Sequence, residues 1–174
     1  MKVILYMAMT ANGMIAREND EAPWSKVVWR EYYKFIKQNK NIIVGRRTYE
    51  LMKNANEFEK LGNPITVVIS SRMSGNGGNT FFVMNPEEAL KKLEKKGFKI
   101  AVIGGGSKLN ASFLKSGLID EICLDVEPWI FGKGIGLFSE IDAEANLMLV
   151  KTKKLSKNTV RLIYKVIKNG KKTK

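Results

Sequence analysis

Two apolar runs that end in glycine constrain this chain most. Ile42-Ile43-Val44 enters Gly45-Arg46-Arg47-Thr48, and Ile100-Ala101-Val102-Ile103 enters Gly104-Gly105-Gly106-Ser107. Each reads as a buried strand handing the chain to a helix start, the unit from which parallel sheets are built. A helix start leaves unpaired N–H groups at the positive end of a dipole, and glycine lets an anion come close to the backbone. One such turn is a weak signal, because glycine is common at strand ends. Two in one short chain, the first carrying paired arginine forks suited to a phosphate monoester, point to a bound dinucleotide. The plainer alternative is a pair of tight strand–helix turns.

The rest of the chain fits the same scheme. Lys2 to Met9 reads as a strand, followed by a long polar loop from Thr10 to Trp24 in which Asn12-Gly13 favours a positive-φ turn. Long loops without structure of their own are often functional. Ser25 caps a helix from Lys26 to about Gln38, with Val28, Tyr32, Phe35 and Ile36 at helical spacing. Asn41 to Val44 is a strand, Arg47 to Lys53 a short helix, and Ile65 to Ile69 a β-branched strand ending in Ser70-Ser71-Arg72. A flexible loop from Ser74 to Asn79 precedes a strand from Thr80 to Met84. Asn85-Pro86-Glu87-Glu88 then gives cap, first-turn proline and capping-box glutamate, and Gly97 ends that helix. Ile100 to Ile103 leads to a helix over Lys108 to Lys115, and Asp120 to Val126 is a strand. Leu147 to Lys154 and Thr159 to Lys168 alternate around Ser156-Lys157-Asn158 as an antiparallel hairpin. The expected fold is α/β: a mostly parallel sheet with helices on both faces, an antiparallel C-terminal hairpin, and ligands at the carboxyl ends of the strands.

Composition narrows the chemistry. The 174 residues fit one domain, taken as 1–168, with a basic tail over 169–174. With no histidine in the chain, His triads, imidazole acid–base pairs and His metal sites are excluded, and a single cysteine argues against zinc, so no metal is expected. Cys123, inside Ile122-Cys123-Leu124, reads as an inert buried thiol, which suits a reducing cytoplasm. The apolar run at Met1 to Leu5 is too short for a signal peptide, and no run of about 20 apolar residues suits a membrane. The charge of +13 raises nucleic acid as a partner. Much of it lies in the tail and on Lys91, Lys92, Lys95 and Lys96, which alternate with Glu87, Glu88 and Glu94 as a solvated face. No base-reading element is evident, so nucleic-acid binding is expected to be nonspecific at most.

Several segments together resemble the dihydrofolate reductase superfamily in order and spacing: Ala8-Met9-Thr10-Ala11-Asn12-Gly13-Met14-Ile15-Ala16, Pro23-Trp24, Val44-Gly45-Arg46-Arg47-Thr48-Tyr49-Glu50, Ile69-Ser70-Ser71-Arg72 and Val102-Ile103-Gly104-Gly105-Gly106. Leu118-Ile119-Asp120-Glu121-Ile122, Pro128, Gly132-Lys133-Gly134 and Leu137-Phe138, with the Asn12-Gly13 turn, resemble the reductase domain of the riboflavin-biosynthesis deaminase/reductase. The resemblance implies NADPH as hydride donor and a small-molecule substrate. Gly45, Arg46, Arg47 and Thr48 would lie near the 2′-phosphate and pyrophosphate, Ser70, Ser71 and Arg72 at the adenosine end, and Gly104, Gly105, Gly106 and Ser107 at the pyrophosphate. Ala8 and Ile15 would border the nicotinamide.

Two departures bear on the substrate. Counting from Pro23-Trp24 puts Trp29 where dihydrofolate reductases carry the acid that pairs with the pterin, and an indole accepts no hydrogen bond. Tyr49 to Pro64 also lacks the Asp-Asp-Pro-Arg-Leu-Thr-like substrate motif of riboflavin-pathway reductases. The resemblance thus implies a riboflavin-type reductase, like 5-amino-6-(5-phosphoribosylamino)uracil reductase, with dihydrofolate reductase as the alternative. Asn12, Gly13, Trp24, Trp29, Tyr33 and Tyr49 are candidate substrate residues, the aromatics as a wall for a flat ring or as ordinary core. Asp125 and Glu31 are candidates for the absent acid, or else solvated surface acids. A homodimer is expected from the likeness and from the apolar Trp129-Ile130-Phe131.

Overall fold

Alternating apolar residues set the sheet. In the computed structural model, which describes residues 1–168 apart from the side chain of Asn76, Val3 and Leu5 of the first strand join one buried cluster while Ile4 and Tyr6 join another. This is the period-2 pattern of a strand buried on both faces. The elements run β1 (Lys2–Thr10), β2 (Met14–Ala16), α1 (Lys26–Asn39), β3 (Asn41–Gly45), α2 (Arg46–Asn54), α3 (Glu57–Lys60), β4 (Ile65–Ile69) and β5 (Asn76–Gly77). There follow β6 (Thr80–Val83), α4 (Pro86–Lys95), β7 (Ile100–Ile103), α5 (Ser107–Lys115), β8 (Glu121–Glu127), β9 (Ile135–Gly136), β10 (Asn146–Lys154) and β11 (Val160–Ile167).

Nine strands form one sheet in the order β10-β11-β8-β1-β7-β3-β4-β6-β5. The six from β8 to β6 are parallel; β11 and β5 run against them at the two edges, and β10 pairs antiparallel with β11. Ala89 and Leu93 of α4 and Leu109 and Phe113 of α5 cover one face. Ile36 of α1, Leu61 and the partly buried Tyr49, Met52 and Phe58 cover the other. The expected α/β fold with its C-terminal hairpin is therefore the observed one, with ends shifted by a residue or two.

The helix starts read from sequence are real. Asn85 Oδ1 accepts from the Glu88 N–H at 2.9 Å, and Glu88 Oε2 reaches back to the Met84 N–H at 2.9 Å. The Thr10–Trp24 segment requires correction, because it contains β2, paired antiparallel with β9 in a separate two-stranded sheet. Strands of two or three residues are too short for a periodic pattern to reveal, and the four-residue α3 escaped notice for the same reason. The expected tail at 169–174 lies outside the described residues.

Candidate functional site

A cleft of about 1170 Å³ opens across the carboxyl ends of β1, β3, β4 and β7. On its β3 side two helices begin without a side-chain cap. Gly45 precedes α2 and Gly106 precedes α5, and neither supplies a capping group, whereas Ser25 and Asn85 cap α1 and α4. The first-turn N–H groups of α2 and α5 are thus left for a ligand, with the dipole favouring an anion. The glycines between them are required by packing. A Cβ on Gly104 would lie 2.5 Å from Ile42 Cδ1, and Gly105, at φ +91°, turns against Met7. The turn is fixed to β3 by the Gly104 N–H to Ile43 O and Gly45 N–H to Gly105 O hydrogen bonds, both 2.9 Å.

The cations here are held loosely. Arg46 Nη1 meets Glu50 Oε1 at 3.0 Å, and Arg47 Nε donates to Asp20 Oδ2 at 2.9 Å. Asp20 belongs to the loop between β2 and α1, so this pair lays the loop across the mouth of the cleft. Beside them Ser70 is buried, and its hydroxyl accepts from the Arg72 and Met73 N–H groups at 3.1 Å each, fixing the turn after β4.

The β8 side is enclosed. Asp125 is fully buried, yet it lines the cleft with Tyr6. Arg161 from β11 grips it as a fork, Nε to Oδ1 at 2.6 Å and Nη2 to Oδ2 at 2.8 Å, and also donates to the Tyr6 hydroxyl, which itself donates to Asp125 Oδ2 at 2.7 Å. Burial and then the Asp125 charge raise the Tyr6 phenol well above its ordinary value. Glu31 joins from α1, at 3.4 Å from both Arg161 Nη1 and Lys153 Nζ. These two acids are therefore members of an ion-pair network rather than solvated surface groups.

Aromatic groups complete this end. Trp24 stacks on Phe131 with ring centroids 6.3 Å apart and an interplanar angle of 11°. Tyr32 borders the cleft beneath the second glycine turn, where a Cβ on Gly104 would lie 3.2 Å from its hydroxyl. Burial, then the Glu57 charge, raises that phenol strongly, so it stays protonated and presents a donor. Glu57 also borders the cleft and accepts from the Tyr33 hydroxyl at 2.8 Å; burial, and then this hydrogen bond, pushes Tyr33 up to about 12.

The structure gathers most of the expected cofactor residues: Ala8, Ile15, Gly45, Arg46, Arg47, Thr48, Ser70, Ser71, Arg72, Gly104, Gly106 and Ser107 all line the cleft, while Gly105 sits behind it. Trp24 and Trp29 line it too. Asn12, Gly13, Tyr33, Tyr49 and Glu31 lie off its wall. Tyr49 packs on Phe58 and Phe82, with centroids 5.5 and 5.6 Å away, as core. Asn12 bonds to the Phe131 backbone at both ends, its Nδ2 to the carbonyl at 2.8 Å and its Oδ1 to the N–H at 3.2 Å. Phe131 itself is buried, leaving Trp129 and Ile130 exposed. Cys123 is a buried thiol pushed up to about 12 by burial. Sequence reasoning missed Tyr6, Tyr32, Glu57 and Arg161, and no motif marked them, because they meet only across β1, β8, β11, α1 and α3.

A mostly parallel sheet whose strands end in one cleft, with two uncapped helix starts opening on it, is an α/β arrangement able to receive an anionic ligand at the carboxyl ends of its strands. The RibD C-terminal domain family matches residues 1–161, and the chain belongs to it. YwjB of Bacillus subtilis is 31% identical over 170 residues, spanning 94% of this chain and 97% of that protein. Dihydrofolate reductase type 1 of Escherichia coli is 30% identical over 134 residues, 74% of this chain and 78% of that one. Among solved structures, a putative riboflavin biosynthesis protein from Shewanella sp. PV-4 superimposes with a TM-score of 0.81 at 20% identity, covering 97% of this chain and 100% of that one. The Thermotoga maritima diaminohydroxyphosphoribosylaminopyrimidine deaminase/5-amino-6-(5-phosphoribosylamino)uracil reductase gives 0.73 at 18% identity, covering 95% of this chain and 56% of that longer one. Family and relatives point to a reductase. No helix among the described residues is long and apolar enough to cross a membrane.

Proposed function

We propose that the chain is an NADPH-dependent cytoplasmic reductase of the riboflavin-biosynthesis type, acting on a carbonyl or imine carbon of a flat pyrimidine-like substrate. The observation that carries this reading is the pair of uncapped helix starts, at Gly45 and Gly106, opening on one cleft beside Arg46, Arg47 and Arg72. Gly104 and Gly105 are accounted for by packing on Ile42 and Met7, so the support for a dinucleotide comes from the two helix starts rather than from the glycines themselves. When bound, the reduced nicotinamide supplies the hydride. Gly45 to Thr48 would hold the 2′-phosphate and pyrophosphate, Ser70 to Arg72 the adenosine end, Gly104 to Ser107 the pyrophosphate, and Ala8 with Ile15 the nicotinamide. Trp24 and Trp29 would flank the substrate ring. We assign Tyr32 as a hydrogen-bond donor to the substrate oxygen or nitrogen beside the carbon that receives hydride; the phenol keeps its own proton, and the proton that atom gains comes from water.

Dihydrofolate reduction fits less well. Asp125 reaches the cleft, but Arg161 and Tyr6 occupy both its oxygens, so it is poorly placed to hold a protonated pterin in place of the acid missing at Trp29.

Cofactor titration by fluorescence tests the reading. NADPH should bind more tightly than NADH, and an Arg46→Ala, Arg47→Ala variant should lose about tenfold or more of that preference. Equal affinity in the wild type would remove the 2′-phosphate site. Following NADPH absorbance with pyrimidine and dihydrofolate substrates tests the rest, and efficient dihydrofolate turnover with strong antifolate inhibition would promote the alternative.

The same reading includes a homodimer. All nine residues of the edge strand β10 are exposed, including the run Leu147, Met148, Leu149 and Val150, an unpaired apolar edge that favours self-association. Light scattering across the micromolar range should give a dimer, and a monomer throughout would refute it.

A further inference from the structure

We infer that the outer face of α1 binds single-stranded nucleic acid through its phosphates and unpaired bases, without regard to sequence and independently of the reductase reading above. A groove of about 750 Å³ runs along this face, lined chiefly by Lys26, Trp29, Arg30, Tyr33, Lys34 and Lys37. The cations recur with the helical repeat, so they stand about 5–6 Å apart along the axis as an ordered row. All four are exposed, and none forms an ion pair among the described residues.

The charges work against the helix that carries them. Lys26, Arg30 and Lys34 follow at i, i+4 and i+8, where like charges repel. Lys26 occupies the first turn, in which α1 has no acid, so a cation sits at the positive end of the dipole. The carboxylates that adjoin this face do not relieve it. Glu31 of α1 is held by Arg161 and Lys153 at 3.4 Å each, and Glu57, which holds Tyr33, is paired with Lys60 at 2.8 Å. Lys153 lies on β10 with Lys151 two residues before it on the same strand face, both exposed, so basic groups continue past Glu31. The other basic helix differs. Acids accompany the lysines of α4, and Lys92 and Lys96 lie over the Phe81 ring at 5.0 and 4.4 Å. Local conflict of this kind belongs to a functional surface, and a polyanion removes it on binding.

The rings decide which polyanion. Trp29 and Tyr33 stack with centroids 5.8 Å apart at 28°, both partly exposed among the cations. The 2.8 Å hydrogen bond from Tyr33 to Glu57 fixes its ring, so the platform exists before a ligand arrives. An aromatic face beside cations suits unpaired bases of any identity, because every base has a face to stack. A duplex keeps its bases stacked on one another and offers these rings nothing. Trp29 also borders the cleft, whereas Tyr33 lines the groove alone, which makes Tyr33 the ring to change.

The test is the fluorescence anisotropy of a labelled oligothymidylate of about twelve nucleotides, titrated with the full chain. Four phosphate contacts, one for each groove cation, predict a slope of log affinity against log salt of about −3. A Lys26→Gln, Arg30→Gln, Lys34→Gln variant should bind about a hundredfold more weakly at about 0.1 M salt and flatten the slope to about −1, its circular dichroism intact. Tyr33→Leu should weaken binding about tenfold with the slope unchanged, which separates stacking from charge. Lys91→Gln, Lys95→Gln on α4 and Lys171→Gln, Lys172→Gln near the C-terminus should each bind as the wild type does. An abasic oligomer of the same length bound as tightly, or undiminished binding by the α1 triple variant, would overturn the assignment. Phosphatidylserine vesicles that displace the oligothymidylate and release the α1 triple variant would also overturn it, in favour of a membrane surface.

Discussion

On the β8 side of the cleft Arg161, mostly buried, lies against a fully buried Asp125, whereas on the β3 side Arg46 and Arg47 hold Glu50 and Asp20 while exposed to water. The two arrangements have different thermodynamics. A buried pair is not separated cheaply, because either partner alone leaves an uncompensated charge in a poor dielectric. An exposed pair contributes about 0–1 kcal/mol and yields readily to a better anion. The β8 side is thus a fixed surface that gives the cleft its shape, and the β3 side is a set of cations on loan, able to trade a carboxylate for a phosphate.

The largest effect that would test this contrast is on stability. Asp125→Ala should cost about 3–5 kcal/mol in urea unfolding, since Arg161 would be left buried with Tyr6 and the more distant Glu31. A loss under about 1 kcal/mol would mean that water reaches the network, and the two halves would no longer differ in kind.

Next comes Tyr32→Phe, which removes only a hydroxyl. It should lower kcat by about tenfold while NADPH affinity stays constant, and an unchanged kcat would remove Tyr32 as the hydrogen-bond donor to the substrate. Burial raises the Tyr6 and Tyr32 phenols in the folded protein, so their contribution to stability is complete below the unfolded-state value of about 10 and is lost as pH climbs above it. Thermal melts should therefore decline above about pH 10, less steeply in Tyr32→Phe.

On the β3 side the ranking reverses. Arg46→Ala, Arg47→Ala should leave unfolding free energy within about 0.5 kcal/mol of wild type yet lose about 1.5–3 kcal/mol of NADPH binding. Asp20→Asn should have the smallest effect, a gain of about two- to fivefold in NADPH affinity as Arg47 is released from its loop partner. A loss of affinity there would show that Asp20 helps to close the loop over the cofactor rather than competing with it.

How much of this was legible follows from what each feature depends on. The glycine turns could be read because strand, glycine and helix start are consecutive in the chain, and local chemistry imposes them. The Asn85 cap and its Glu88 partner were legible for the same reason. The aromatic wall was half legible. Trp29 and Tyr49 look alike in sequence, but the packing of Phe58 and Phe82 around Tyr49 makes it core while Trp29 stands at the cleft. Asp125 and Glu31 stand out by position, but neither reading of them, a substitute for the absent acid or a solvated surface group, includes their ion pair, because its cation, Arg161, is distant in sequence and reaches them only when β11 pairs antiparallel with β8.

The sequence by itself determined the parallel sheet, the two anion-receptive helix starts and the absence of imidazole chemistry, all properties of neighbouring residues or of composition. Tertiary structure alone decided which phenols face the cleft, which carboxylate is neutralised, and that Trp29 borders both the cleft and the groove along α1. Those outcomes depend on strand order and helix rotation, which bring together groups as far apart as Tyr6 and Arg161. A pairing of that span has no local signature, because its stabilisation exists only once the sheet has closed around it.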